Sequence, residues 1–223
     1  MHSTNSISIF NNTFYTITVK NNNYCGGISS YYKHTSSGQV TLTYDQCKFY
    51  EIKNMNDGSP KNQGGAIQYG YDSLILSTII IISSCEFKRN SCENAMGGAI
   101  GFNVNGDITI TSCIFESNKC KAEGGAIYIT GQMSLITITD CKFIGNKGSD
   151  GSAIYVAGEN IANAKLSITT CNFTDNGEDK SRYMIVSYTG ECVFEHNKVE
   201  CTDKTKTSGA LSLHNPNIVT ISD

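Results

Sequence analysis

The stretch Gly106-Asp107-Ile108-Thr109-Ile110-Thr111-Ser112-Cys113-Ile114-Phe115-Glu116-Ser117-Asn118, continued by a polar loop to Gly124-Gly125-Ala126-Ile127, decides the fold. Its recurring positions read Ile-x-Ile-x-x-Cys-x-Phe-x-x-Asn, then Gly-Gly-Ala-Ile. Outward from it, the Cys-x-Phe pair returns at Cys47/Phe49, Cys85/Phe87, Cys141/Phe143, Cys171/Phe173 and Cys192/Phe194. Asparagine follows three residues after phenylalanine at Asn90, Asn118, Asn146, Asn176 and Asn197, whereas Ile17 and Ile52 take that place in the first two units. At the start of the chain Ile7, Ile9 and Phe14 fit the same template, with Asn12 at the cysteine position. The glycine segment is complete at Gly64-Gly65-Ala66-Ile67 and Gly97-Gly98-Ala99-Ile100. Weaker copies are Gly26-Gly27-Ile28, Gly151-Ser152-Ala153-Ile154 and Ser208-Gly209-Ala210-Leu211, with Tyr183-Met184-Ile185 filling one place without glycine.

Successive motif cysteines lie 38, 28, 28, 30 and 21 residues apart. Self-similarity on this scale marks a repeat architecture, in which each unit buries its apolar face against its neighbours. Within a unit the alternation is strict, as in Ile108/Ile110, Ile136/Ile138 and Leu166/Ile168, and the runs are rich in Thr and Ile, which suit strands. Ile110 and Cys113 are three residues apart, not two. In one continuous strand that offset puts them on opposite faces, so if both point inward the chain turns a corner between them. The expectation is an all-β, right-handed, single-stranded parallel β-helix of about seven coils and three short strands per coil, one domain over residues 1–223.

Each fixed position then has a physical task. Cys47, Cys85, Cys113, Cys141 and Cys171 stack inward with Phe49, Phe87, Phe115, Phe143 and Phe173, and so act as small core side chains. Asn90, Asn118, Asn146 and Asn176 are expected at a corner, taking left-handed backbone and forming an amide ladder. The pairs Gly97-Gly98 and Gly124-Gly125 let the chain re-enter the sheet where a Cβ would clash, ahead of the inward Ile100 and Ile127.

The linked Phe-x-x-Asn and Gly-Gly-Ala-Ile motifs resemble the repeats of the chlamydial polymorphic outer membrane proteins and related protist surface proteins. The resemblance covers most of the chain. It implies a β-helical passenger displayed at the cell surface or outside the cell, taking part in adhesion to host-cell surfaces or glycans. No basic segment followed by an apolar run opens the chain, and the run Leu74–Ile82, interrupted by Ser77 and Thr78, is too short to span a bilayer. Val219 and Ile221 match the inward positions that precede a motif cysteine, so the chain reads as part of a longer solenoid, or as one whose end coils need further coils or a capping partner.

Composition narrows the function classes. A net charge of -3 with scattered basic residues offers no nucleic-acid footprint. His2, His34, His196 and His214 have no ligand spacing, and no metal or cofactor motif is read. Cys92 and Cys120 each lie two residues after a corner asparagine and should be stacked neighbours, a candidate disulfide pair, although in-register side chains point the same way, against the dihedral a bridge needs. Cys25 and Cys201 fall in loops. The outward column after phenylalanine reads Tyr50, Lys88, Glu116, Ile144, Thr174, Glu195, and that after cysteine Lys48, Glu86, Ile114, Lys142, Asn172, Val193; neither puts two acids side by side. Columns Thr43/Ile81/Thr109/Thr137/Ser167 and Asp45/Ser83/Thr111/Thr139/Thr169 face outward as threonine-rich ranks. No catalytic residue is assigned. The sequence is read as a non-catalytic adhesion or glycan-contact module, the alternative being a polysaccharide-acting, pectin lyase-like β-helix enzyme or a fragment of one.

Overall fold

The computed structural model describes residues 4–19, 28–32, 39–55, 64–71, 77–93, 95–158, 161–177, 181–202 and 209–223. His2, Cys25, Gly26, Gly27, His34, Leu74 and Ser208, singled out above, lie outside the described residues.

The chain is a parallel β-solenoid, and among the described residues its three walls hold 13, 7 and 4 strands. The short wall carries the Cys-x-Phe motif and stacks Thr13–Tyr15, Lys48–Tyr50, Glu86–Lys88, Ile114–Glu116, Lys142–Ile144, Asn172–Thr174 and Lys198–Glu200 in parallel register. The narrow wall runs through Thr18–Val19, Lys53–Asn54, Ser91–Cys92 and Lys119–Cys120. The long wall differs from the expected plan. The strand opening at Gly-Gly-Ala-Ile and the Ile-x-Ile strand of the next unit belong to one sheet, and in the central coils they fuse into the single strands Ile100–Thr111 and Ile127–Thr139. A register irregularity between Gly106 and Asp107 marks where the two halves join.

About five coils close fully around the core, fewer than the seven counted from motifs. Phe49, Phe87, Phe115, Phe143 and Phe173 are all buried, whereas the rungs of Phe14 and Val199 each have one uncovered side. The phenylalanines form one pile. Phe49–Phe87, Phe87–Phe115, Phe115–Phe143 and Phe143–Phe173 have ring centroids 4.7–4.9 Å apart and are parallel within 4°. Parallel strands about 4.8 Å apart impose this spacing, so each ring contacts its neighbours through both faces. Ile67, Ile100, Ile127 and Ile154, with Tyr69, Phe102, Ile129 and Val156, close the opposite side of the same core.

Polar and sulfur ladders run beside the aromatic pile. The amide of Asn118 donates to Phe87 O (2.9 Å) and to Asn146 Oδ1 (3.0 Å), while its own oxygen accepts from Asn90 N and Nδ2 at 3.1 and 3.0 Å. Asn146 repeats the pattern in full, while at the ends of the ladder Asn90 accepts from Ile52 N and Asn176 donates to Phe143 O and Met184 Sδ. At the other corner Cys85, Cys113, Cys141 and Cys171 each take the backbone N–H of the cysteine one coil earlier through sulfur, at 3.3–3.4 Å. The Cys141 thiol pulls the Cys113 thiol down, but the Cys85 thiol and burial outweigh it and push it up to about 12. The stacked sulfurs are core groups.

Three expectations need correction. The left-handed residue at each corner is the one before the ladder residue: Arg89, Ser117 and Asp175 precede asparagine, and Ser84, Ser112, Asp140 and Thr170 precede cysteine, with φ between 51 and 56°. Their small or exposed side chains leave the asparagine free for its amide bonds. Cys192 and Phe194 do not belong to the Cys-x-Phe wall. Glu191–Glu195 pairs with Lys165–Thr169 in the long wall, so Cys192 stacks on Leu166 and Phe194 on Ile168. In their place Val199 stacks on Phe173, and Asn197, read above as a corner asparagine, fills the cysteine position, its Oδ1 accepting Cys171 N at 2.9 Å. The outward columns therefore end in Glu200 and Lys198, not Glu195 and Val193.

Candidate interaction surface

The outer face of the short wall starts from side chains that alternate with the buried Cys and Phe. Glu86 is its hub. It accepts a hydrogen bond from Tyr50 Oη at 2.7 Å and pairs with Lys88 Nζ at 3.0 Å and Lys48 Nζ at 3.6 Å. Lys88 also reaches Glu116, at 3.4 Å, as the column predicts. Desolvation and the bond to Glu86 push the Tyr50 phenol up to about 12, while the Tyr50 hydrogen bond holds the Glu86 carboxyl below its usual range. Arg89 forks onto Glu51 Oε1 with 3.1 and 2.8 Å contacts. Glu86 is paired within its own strand by Lys88 and across coils by Lys48, and Glu116 and Glu51 are paired across coils by Lys88 and Arg89; exposed pairs of this kind contribute little to stability.

The threonine ranks are in register as expected, with Thr137 between Thr109 and Ser167, and Thr139 between Thr111 and Thr169. Ser83 Oγ donates to Asp45 at 2.6 Å, and Thr139 and Thr169 share a 3.0 Å hydrogen bond.

An aromatic row on the outside of the long wall was not read from the sequence. Tyr128 stacks on Tyr155 (5.6 Å, 10°), Tyr155 meets Tyr188 at 6.0 Å, and Tyr188 stacks on His214 at 4.1 Å. Exposure grows along the row, from 8% at Tyr128 to 38% at Tyr188. Burial, with the neighbouring Tyr188, raises the Tyr155 phenol well above the ordinary value. The signal was available: Tyr128 and Tyr155 each directly follow the inward isoleucine of the glycine segment, a column not stacked in the sequence reading. Because the rings lie on one another, the row offers edges and hydroxyls outward.

Cys92 and Cys120 are register neighbours in the narrow wall, as read, and both are buried free thiols. Cys201 is exposed. Among the described residues no cluster of three or more His, Cys, Asp or Glu could hold a metal ion. No helix of the described residues is long and apolar enough to cross a membrane. Comparison with protein-family models, with curated proteins and with solved structures finds no match, so the chain's own geometry is the ground for a functional reading.

Proposed function

We propose that the chain is a non-catalytic β-solenoid binding module that acts at a cell surface, contacting host-cell or glycan ligands through the outer face of its long wall. The supporting observation is the row Tyr128–Tyr155–Tyr188–His214, an amphipathic aromatic strip on the outside of the long wall. Tyrosine combines a large apolar body with a hydroxyl and a low entropic cost of ordering, which is why it concentrates in contact surfaces. Hydroxyl edges at coil spacing suit a partner rich in hydrogen-bonding groups along its length, as a glycan chain is. The repeat resemblance to surface-displayed adhesins supports the setting.

The test presents the wild-type protein and a Tyr155→Ser/Tyr188→Ser variant to host cells and to an immobilised glycan panel. Wild-type retention and a loss of about tenfold or more in the variant, with its melting profile kept, supports the reading. Equal retention of both, no retention of either, or release of sugar products from acidic polysaccharides by the wild type refutes it.

A further inference from the structure

The narrow wall holds a pair of thiols that the binding reading does not use. Ser91–Cys92 and Lys119–Cys120 are two-residue strands on neighbouring coils, with Cys92 directly opposite Cys120. Only 2% and 3% exposed, they form with Ala95 a small apolar cluster separate from the main core. The neighbouring Cys120 thiol and burial hold the Cys92 thiol well above its ordinary value, so both rest as thiols. Parallel neighbours about 4.8 Å apart fall inside the Cα window of disulfides, roughly 4.4–6.8 Å. The pair stands alone in its column: the coil before carries Asn54 opposite Cys92.

We propose that Cys92 and Cys120 are a modification site, closing into a disulfide that staples two adjacent coils when the protein meets a small-molecule disulfide such as oxidised glutathione. The thiolate of one cysteine attacks a glutathione sulfur, and the departing glutathione thiolate takes up the released proton. The second cysteine thiolate attacks the protein sulfur of that mixed disulfide, expelling the other glutathione, which takes the second proton. The chain loses two hydrogen atoms, and the oxidant is reduced to two glutathione thiols.

The local structure suits this exchange. A two-residue strand opens at less cost than the long walls, which admits the oxidant. Side chains that start out parallel must rotate at χ1 to reach the bridge dihedral, and strands this short can yield. What the thiols give up is modest: Cys92 Sγ contacts Gly97 O at 3.6 Å, and Cys120 Sγ contacts Ala122 O and Glu123 O at 3.2 and 3.1 Å. All of these tie down the return toward a glycine pair, which the covalent link would hold instead.

The test uses the full chain carrying Cys25→Ser and Cys201→Ser, which removes the two thiols read as lying in loops, equilibrated across a series of reduced and oxidised glutathione. After alkylation in denaturant, a non-reducing peptide map at the oxidising end should show a linked peptide joining Cys92 to Cys120, reversed by reductant. The melting temperature should rise by about 5–10 °C with the link. Cys120→Ser, or Cys92→Ala should the first fail to fold, should lose the linked peptide and the redox-dependent shift together. Alkylation of both cysteines throughout the series, a link to any other cysteine, or a link with no thermal shift would overturn the proposal.

Discussion

Replacing Asn118 by alanine tests the amide ladder at its middle. Asn118 is fully buried, and the change deletes four hydrogen bonds: two donated, to Phe87 O and Asn146 Oδ1, and two accepted, from Asn90 N and Nδ2. Asn90 Nδ2 keeps Phe49 O, and Asn146 Oδ1 keeps the backbone N–H of residue 118. The Asn90 backbone N–H loses its side-chain acceptor inside the core. One orphaned buried donor costs about 1–3 kcal/mol, and the other three broken bonds about 1 kcal/mol each, so the sum is roughly 4–6 kcal/mol. For a chain of this size that lowers the melting temperature by about 10–15 °C, readable by calorimetry or by far-UV circular dichroism. Asn118→Asp sharpens the test. It retains both bonds from Asn90 but turns a carboxylate oxygen toward Phe87 O and Asn146 Oδ1, so it should cost at least as much as alanine. Asn12→Ala, at the exposed start of the solenoid, should shift melting by only a few degrees. A melting temperature for Asn118→Ala within about 3 °C of wild type, or an aspartate variant as stable as wild type, would show that the ladder is not what holds this corner.

Phe115→Ala should destabilise by about 3–5 kcal/mol, measured by urea unfolding, because the ring is fully buried and stacked at 4.9 Å on both faces. Gly98→Ala should abolish soluble, folded protein: a Cβ there would sit 2.1 Å from Gly125 O and 2.6 Å from Lys119 N, both backbone atoms, and size-exclusion with circular dichroism reports the loss. Tyr50 predicts an alkaline limb. Its phenol is raised from 10.0 to about 12 in the folded chain, so the folded state binds the proton more tightly; that stability is present below pH about 10 and is lost as pH rises toward about 12. Tyr50→Phe should flatten stability against pH in that window. It should also reduce the acid-side contribution of Glu86, whose lowered carboxyl stabilises the fold above the ordinary carboxylate value and loses that contribution as pH falls.

The solenoid was legible because its repeating positions are the ones that geometry constrains most. An offset of three between Ile110 and Cys113 forces a corner, and Ser112 supplies it with φ of 54°. Misreadings arose where similar residues served a different wall. Cys192-x-Phe194 matches the core motif in letters, yet its 21-residue spacing from Cys171 is too short for a coil. The 26-residue step from Cys171 to Asn197 is the one the hydrogen bond confirms. Sequence alone could not tell asparagine from cysteine there, since both present an acceptor to the N–H one coil earlier. The fused strand Ile100–Thr111 was hidden because its two halves come from consecutive units of the motif. The tyrosine row was missed because Tyr188 is two residues beyond the column of Tyr128 and Tyr155, and its contact with His214 spans separate coils.

The clip at the narrow wall has a consequence for how such a rod can change. Asn54 Nδ2 grips Gly64 O at 3.2 Å, and on the next coil Cys92 Sγ meets Gly97 O at 3.6 Å, although the first spans ten residues of chain and the second only five. The doorway through which the chain leaves and returns thus has one width, whatever lies between. Because closing a longer excursion costs only slowly more entropy, foreign peptides grafted between positions 55 and 64 can be displayed from the shaft without altering its pitch.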